Sequence, residues 1–256
     1  MKTYIVGNWK MNFTVGESSL YFHKLLQRVK SYRDIEVVVA PSLVALQPLS
    51  LQVDRHKIKL AAQNAYFQDF GAYTGEVSVS QIRSLVDYCI IGHSERRHIL
   101  GETNKDVRKK VAAAVRNGIT PIICIGETAE ERKNGETTDV IRDQLLSSLS
   151  EIAAEDLSKV IIAYEPVWAI STTKSAKMAT PDDIKEVLDL IHKLLTKTYG
   201  EKTVADTPVL YGGSVKVSNA EAYLSIPGCD GLLIGGASLI APEFSDIIEI
   251  AKQVRA

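Results

Sequence analysis

The chain has 256 residues, 45% of them hydrophobic, with 30 Lys and Arg against 31 Asp and Glu and a formal net charge of −1. That length and apolar share fit one large α/β domain or two small ones. The balanced charge lacks the basic footprint of a nucleic-acid binder, and the longest apolar runs are strand-sized, too short for a membrane span.

In chain order, apolar strand-like runs alternate with helical patterns. Strands are expected near Tyr4–Gly7, Glu36–Ala40, Lys59–Gln63, Cys89–Gly92, Pro121–Ile125, Val160–Ala163, Val209–Tyr211 and Gly231–Ile234. Eight such units are the count of a (β/α)8 barrel. No Pro/Gly/Ser-rich linker divides them, so a single domain over residues 1–256 is expected. A doubly wound sheet is the competing fold, but the first turn, Gly7-Asn8-Trp9-Lys10, does not fit its dinucleotide fingerprint. The N-terminal residues run straight into a strand without the apolar stretch of a signal peptide. Cys89, Cys124 and Cys229 lie in apolar runs without metal-ligand spacing, which points to buried, reduced thiols and a cytoplasmic protein.

Helix signals are clear at two places. Thr103-Asn104-Lys105-Asp106 reads as a capping box with Asp in the usual Glu position. Thr180 then reads as an N-cap, with Pro181 suited to the first helical position. Behind it Ile184, Val187, Leu188, Ile191, Leu194 and Leu195 form an apolar stripe at helical spacing, and Gly200 closes the helix.

In a parallel barrel the chemistry sits where strands end at their C-terminal mouth. The first strand ends with Asn8 and Lys10, the latter a point positive charge or merely a solvated lysine. The third is followed by a long loop, 64–76, with four aromatics, an interface or a loop folded over its own rings. The fourth ends at His93 with Ser94 as the expected N-cap of a short helix, whose N-terminus would hold the imidazole neutral. The fifth ends in Glu127, read as an architectural carboxylate reaching Trp168. The sixth, a run apolar on both faces, ends in Glu165 before Pro166, under a segment long enough to cover it. The seventh and eighth end in Gly212-Gly213-Ser214 and Gly235-Gly236-Ala237, each expected to open a helix at the small residue. Missing Cβ atoms would let backbone N–H groups approach a phosphate there. The rim thus gathers a carboxylate, an imidazole, a lysine and a phosphate cradle, a set suited to proton abstraction beside the carbonyl of a small phosphorylated substrate.

GNWKMN at 7–12, GHSERR at 92–97, IGET at 125–128, YEPVWAI at 164–170, YGGSV at 211–215 and GGASL at 235–239 cover the chain in an order and spacing that resembles the triosephosphate isomerase family. The resemblance implies a TIM barrel that interconverts glycerone phosphate and D-glyceraldehyde 3-phosphate in glycolysis and gluconeogenesis. It implies Glu165 as base with Lys10 and His93 as electrophiles, and Asn8, Lys10, Ser171, Ser214, Gly235 and Gly236 as substrate contacts. Glu95, Glu127, Trp168 and Tyr211 would be supporting residues. No metal or other cofactor is expected. The resemblance also implies a homodimer, with Thr74 at the tip of the third loop near the partner's site, and no nucleic-acid or membrane partner. One stretch departs from the family's pattern: AI-STTKSAKMAT-P places Ser171 and Thr173 where glycines are usual, with about three residues inserted before Pro181. Two other readings stay open on the residues alone. One is another phosphosugar barrel, which would need a metal site or a Schiff-base lysine; the other is a barrel that binds without turning over.

Overall fold

A computed structural model of the chain describes residues 2–170 and 178–255. Eight parallel strands close into one barrel in sequence order: β1 (Thr3–Asn8), β2 (Ile35–Ala40), β3 (Lys59–Ala62), β4 (Tyr88–Ile91), β5 (Thr120–Ile125), β6 (Ile161–Tyr164), β7 (Val209–Tyr211) and β8 (Gly231–Ile234). β1 pairs with β8, Tyr4 opposite Gly231, so the sheet has no free edge. The expected strands are all present, with ends shifted by at most a residue.

The period of two along each strand sorts the side chains into two cores. Val6, Val38, Ala61, Ile90, Ile122, Ala163, Leu210 and Leu233 point into the barrel. Ile5, Val37, Leu60, Ile91, Ile123, Ile162, Val209 and Leu232 point out against the helices. Both faces of every strand are therefore buried, which is why the strands read as continuous apolar runs. The same alternation fixes the mouth. Two residues beyond the inward-facing Val6, Ala163, Leu210 and Leu233 come Asn8, Glu165, Gly212 and Gly235, so these four inherit the barrel axis.

The outer helices are amphipathic and capped as their sequences require. Thr103 and Thr180 each accept from the backbone three residues on, while Asp106 and Asp183 reach back to the cap N–H. On the helix Pro181–Tyr199, Ile184, Val187, Leu188, Ile191 and Leu195 are buried, each stabilising the fold by about 1.5–3 kcal/mol through removal from water. Gly200 follows with φ 84°, a left-handed turn that glycine takes without steric cost. Cys89, Cys124 and Cys229 are free and buried. Among the described residues no helix is long and apolar enough to cross a membrane.

Two local expectations fail. Ser94 is not the cap of the short helix Ser94–His98; His93 is, its ring nitrogen accepting from the Glu95 N–H. Nor does Ser214 open a helix, because the next one begins at Val217. After β8 there is only a short 3-10 turn, Gly236–Leu239. After β7 the chain first passes over the barrel rim, and Gly212 and Gly213 serve that passage rather than a helix start; after β8 Gly235 is the cap and Gly236 the first residue of the short turn.

Candidate active site

Glu165 is 2% exposed and His93 5%. Gly92, with φ 72°, ends β4 in a left-handed turn, which swings the next residue over the mouth. There His93 Nε2 lies 3.0 Å from Glu165 Oε1, and the Ser94 N–H donates to Glu165 Oε2 at 3.1 Å. A carboxylate this deep would be costly without such partners. Burial pushes the Glu165 carboxyl up, but the His93 ring, the Ser94 N–H and the Lys10 charge more than offset it, leaving the carboxyl below its ordinary value. It is held ionised, ready to accept a proton.

The state of the imidazole follows from its other nitrogen. The Glu95 N–H donates to His93 Nδ1 at 3.2 Å. A backbone N–H can only donate, so Nδ1 carries a lone pair, and the single ring proton sits on Nε2 facing Glu165. Burial pulls the ring's pKa down, whereas the charge and hydrogen bond of Glu165 raise it and set the net direction upward. Protonating Nδ1 would break the cap on the helix, and that cost opposes the carboxylate's pull.

Lys10 adopts φ 53°, a left-handed conformation unusual for a side-chain-bearing residue, at a cost of roughly 1–2 kcal/mol. Two hydrogen bonds hold it there. Its N–H donates to Asn8 Oδ1 at 3.0 Å, and Gln63 Nε2 donates to its carbonyl at 2.8 Å; at about 1 kcal/mol net each they offset the strain. The ammonium then meets Glu95 Oε1 at 2.6 Å. Gln63 also donates to the Ala40 carbonyl, so it ties the Lys10 turn to the end of β2.

Behind Glu165, the fully buried Glu127 accepts from Trp168 Nε1 at 2.8 Å and from the Tyr164 hydroxyl at 3.2 Å. Arg132 contacts the same carboxylate at 3.3 Å, lies over the Trp168 ring and pairs with Asp183. Trp168 and the start of the helix at Pro181 are thus tied through one guanidinium. At β7, a Cβ on Gly212 would stand 2.8 Å from Glu165 Cγ, and one on Gly213 would stand 2.0 Å from the Tyr211 hydroxyl. Both Ser214 Oγ and the Ser214 N–H donate to the Ala169 carbonyl, at 2.7 and 3.2 Å.

Asn8, Lys10, His93, Glu165, Ile170, Gly212, Gly213 and Gly235 line one small cleft over the barrel. A neighbouring cleft of about 420 Å³ shares Asn8, Lys10 and His93 and runs out past Met11, Leu43, Gly75 and Leu100. Among the described residues no cluster of His, Cys, Asp or Glu is arranged to hold a metal ion.

A family model described as triosephosphate isomerase matches residues 3–251. The chain belongs to the triosephosphate isomerase family. It is 43% identical over 248 residues to a protein named triosephosphate isomerase from Clostridium tetani, covering 96% of both chains. To one of the same name from Carboxydothermus hydrogenoformans it is 42% identical over 249 residues, 97% of this chain and 98% of the relative. To one from Chloroherpeton thalassium it is 43% identical over 253 residues, 98% and 99% of the two chains.

Within this triosephosphate isomerase-family barrel, the sequence-derived residues Asn8, Lys10, His93, Glu165 and Gly235 meet at one cleft. Ser214 and Gly236 are not among its lining residues; Ser214 is engaged with the Ala169 carbonyl. Ser171, Thr173 and Lys177 lie outside the described residues, whereas Met178 and Ala179, the rest of the inserted stretch, are described, Ala179 buried with its carbonyl accepting from the Tyr223 hydroxyl. Thr74 is exposed at the loop tip. In that loop Tyr66 stacks on Phe67 and packs on Tyr73, so part of it folds over its own rings, while Phe70 is 89% exposed. Sequence reasoning missed Gln63 and the Ser94 N–H, whose partners lie 53 and 71 positions away.

Proposed function

We propose that the chain interconverts glycerone phosphate and D-glyceraldehyde 3-phosphate, with Glu165 as base and His93 and Lys10 as electrophiles. The observation that carries this reading is the contact of the buried Glu165 carboxylate with the Nε2–H edge of His93, beside a lysine, at the C-terminal mouth of the barrel. The substrate's two oxygens take the place of Glu165 at that edge, and the displaced carboxylate faces the adjacent carbon. Glu165 removes a proton from C1 of glycerone phosphate. His93 gives its Nε2 proton to the oxygen on C2 and takes up the proton of the C1 hydroxyl, and the Lys10 ammonium lies against the charge that develops on the enediolate. The proton returns to C2, so atoms and electrons balance without a redox partner. Asn8 orients Lys10 and contacts substrate. The phosphate lies against the backbone at Gly235 and Gly236, with Ser214 and Ser171 as further substrate contacts, and exclusion of water restrains loss of phosphate from the enediolate.

The working unit is a homodimer of single-domain chains. Support comes from exposed apolar side chains around the larger cleft: Met11 at 96%, Leu100 at 65% and Leu43 at 48%, with Ile99 and Phe70 nearby in sequence to its lining. Free buried thiols suit a reducing cytoplasm. The test is a coupled isomerisation assay on purified protein, run with and without prior dialysis against a chelator. Turnover that survives the chelator is expected. Absence of turnover favours the barrel that only binds, and a loss restored by zinc or magnesium favours a metal-dependent epimerase.

A further inference from the structure

The backbone of Glu165 is placed by the segment that follows β5. The Glu165 N–H donates to the Ile125 carbonyl at 2.8 Å, and two residues on the Val167 N–H donates to the Glu127 carbonyl at 3.0 Å. In a parallel ladder alternate residues bond to opposite neighbours. Ile125 and Glu127 therefore face β6, and the residue between them, Gly126, turns its N–H and C=O the other way. On that side β4 has already ended at Ile91. Buried backbone groups left without partners there would be expensive.

One side chain supplies both partners. Gln144, on the helix Thr137–Leu149, accepts from the Gly126 N–H at 2.9 Å through Oε1 and donates to the Gly126 carbonyl at 3.2 Å through Nε2. Gln144 is buried, on the helix face that also buries Ile141, Leu145 and Ser148. That face would otherwise take an apolar residue. A primary amide offers a donor and an acceptor side by side, as a peptide group does. Gln144 acts as the missing rung of the sheet.

The grip matters because Gly126 has no slack against Glu165. A Cβ on Gly126 would lie 1.9 Å from the Glu165 carbonyl oxygen, so the two backbones are in close contact. Movement of the Gly126 peptide is passed directly to the residue carrying the carboxylate. We propose that Gln144 is a positioning residue for the base, acting through the Gly126 peptide. This rests on the reading of Glu165 as the isomerase base.

The test compares wild type with Gln144→Met and Gln144→Glu in the isomerisation assay, at a temperature where circular dichroism finds each variant folded. Methionine keeps the length and removes both hydrogen bonds. Glutamate, when ionised, keeps the acceptor and loses the donor. In Gln144→Met kcat is expected to fall by about tenfold, within the range that a misplacement near 1 Å produces. KM is expected to stay within about twofold, since the glycine ends of β7 and β8 are untouched. A substrate deuterated at the abstracted position should give a larger primary isotope effect than in wild type, because slower proton transfer then limits turnover. Gln144→Glu is expected to lie between the two, and it decides the matter by the same split if the methionine variant does not fold. Unchanged kcat in a folded variant, or a loss that appears in KM and melting temperature alone, overturns the inference while leaving the isomerase reading intact. An inactive wild type overturns both.

Discussion

The two halves of the barrel mouth are built from different materials. From β1 to β6 it consists of side chains, each fixed by another side chain or by backbone: Asn8 and Gln63 on the Lys10 backbone, Lys10 on Glu95, the Glu95 N–H on His93, and His93 with the Ser94 N–H on Glu165. At β7 and β8 the mouth consists of backbone with the side chains left off, Gly212-Gly213 and Gly235-Gly236. The difference follows from what each half would handle. Moving a proton needs one group of tuned basicity at a fixed place. Holding a phosphate needs room for backbone N–H groups to approach.

The comparison can be broken at four places, in falling order of effect. Glu165→Gln keeps the shape and removes the proton acceptor; kcat is expected to drop by at least about 10²-fold. Near-normal turnover by pure variant would remove Glu165 from its assigned role. Next in size is Thr74→Arg, which forces a charge into a packed contact if the loop tip meets a partner subunit. Sedimentation should then shift toward monomer with reduced activity, and a wild type that is already monomeric and fully active ends the dimer proposal.

Gly212→Ala tests the seam between the halves. The added methyl would stand 2.8 Å from Glu165 Cγ, so the base must move aside. A loss of about tenfold in kcat is expected, with the fold retained as judged by melting. Gly236→Ala is the gentlest and most discriminating change. A Cβ there meets no atom within 4 Å beyond its own turn and chain neighbours, so an occupied phosphate site is what would feel it. KM should rise by about threefold while kcat stays put. An unchanged KM would mean that this backbone does not approach the anion.

Much of this arrangement was legible in the sequence because it depends on short-range order. Strand ends follow from apolar runs, and inward parity carries Asn8, Glu165, Gly212 and Gly235 to the mouth without any knowledge of the packing. Glu127 and Trp168, read as partners from the motifs that carry them, are 2.8 Å apart. The misses are of two kinds. Some are conformational: nothing in the residue type lysine announces a left-handed Lys10, and a histidine that caps its own helix looks from the sequence like a serine cap one position later. The others are long-range. Gln63 and Gln144 are ordinary amides until the barrel closes and sets them beside backbone groups that have run out of neighbours. The paired glycines were misread in one respect, since the space they leave after β7 goes to the Tyr211 hydroxyl and the Glu165 side chain rather than to a helix N-terminus.

The pairing of β1 with β8 imposes an order on how this molecule comes into being. Tyr4 leaves a ribosome long before its partner Gly231, with seven strand-and-helix units made in between. Until then β1 has one neighbour and one bare side, an open template for any passing strand. Contacts this distant in sequence are slow to form. When β8 does arrive it must fit tightly, because a Cβ on Gly231 would sit 2.0 Å from the Tyr4 carbonyl oxygen. A single methyl group at that seam, far from the chemistry, would leave a nascent chain with a nearly complete sheet that cannot be shut.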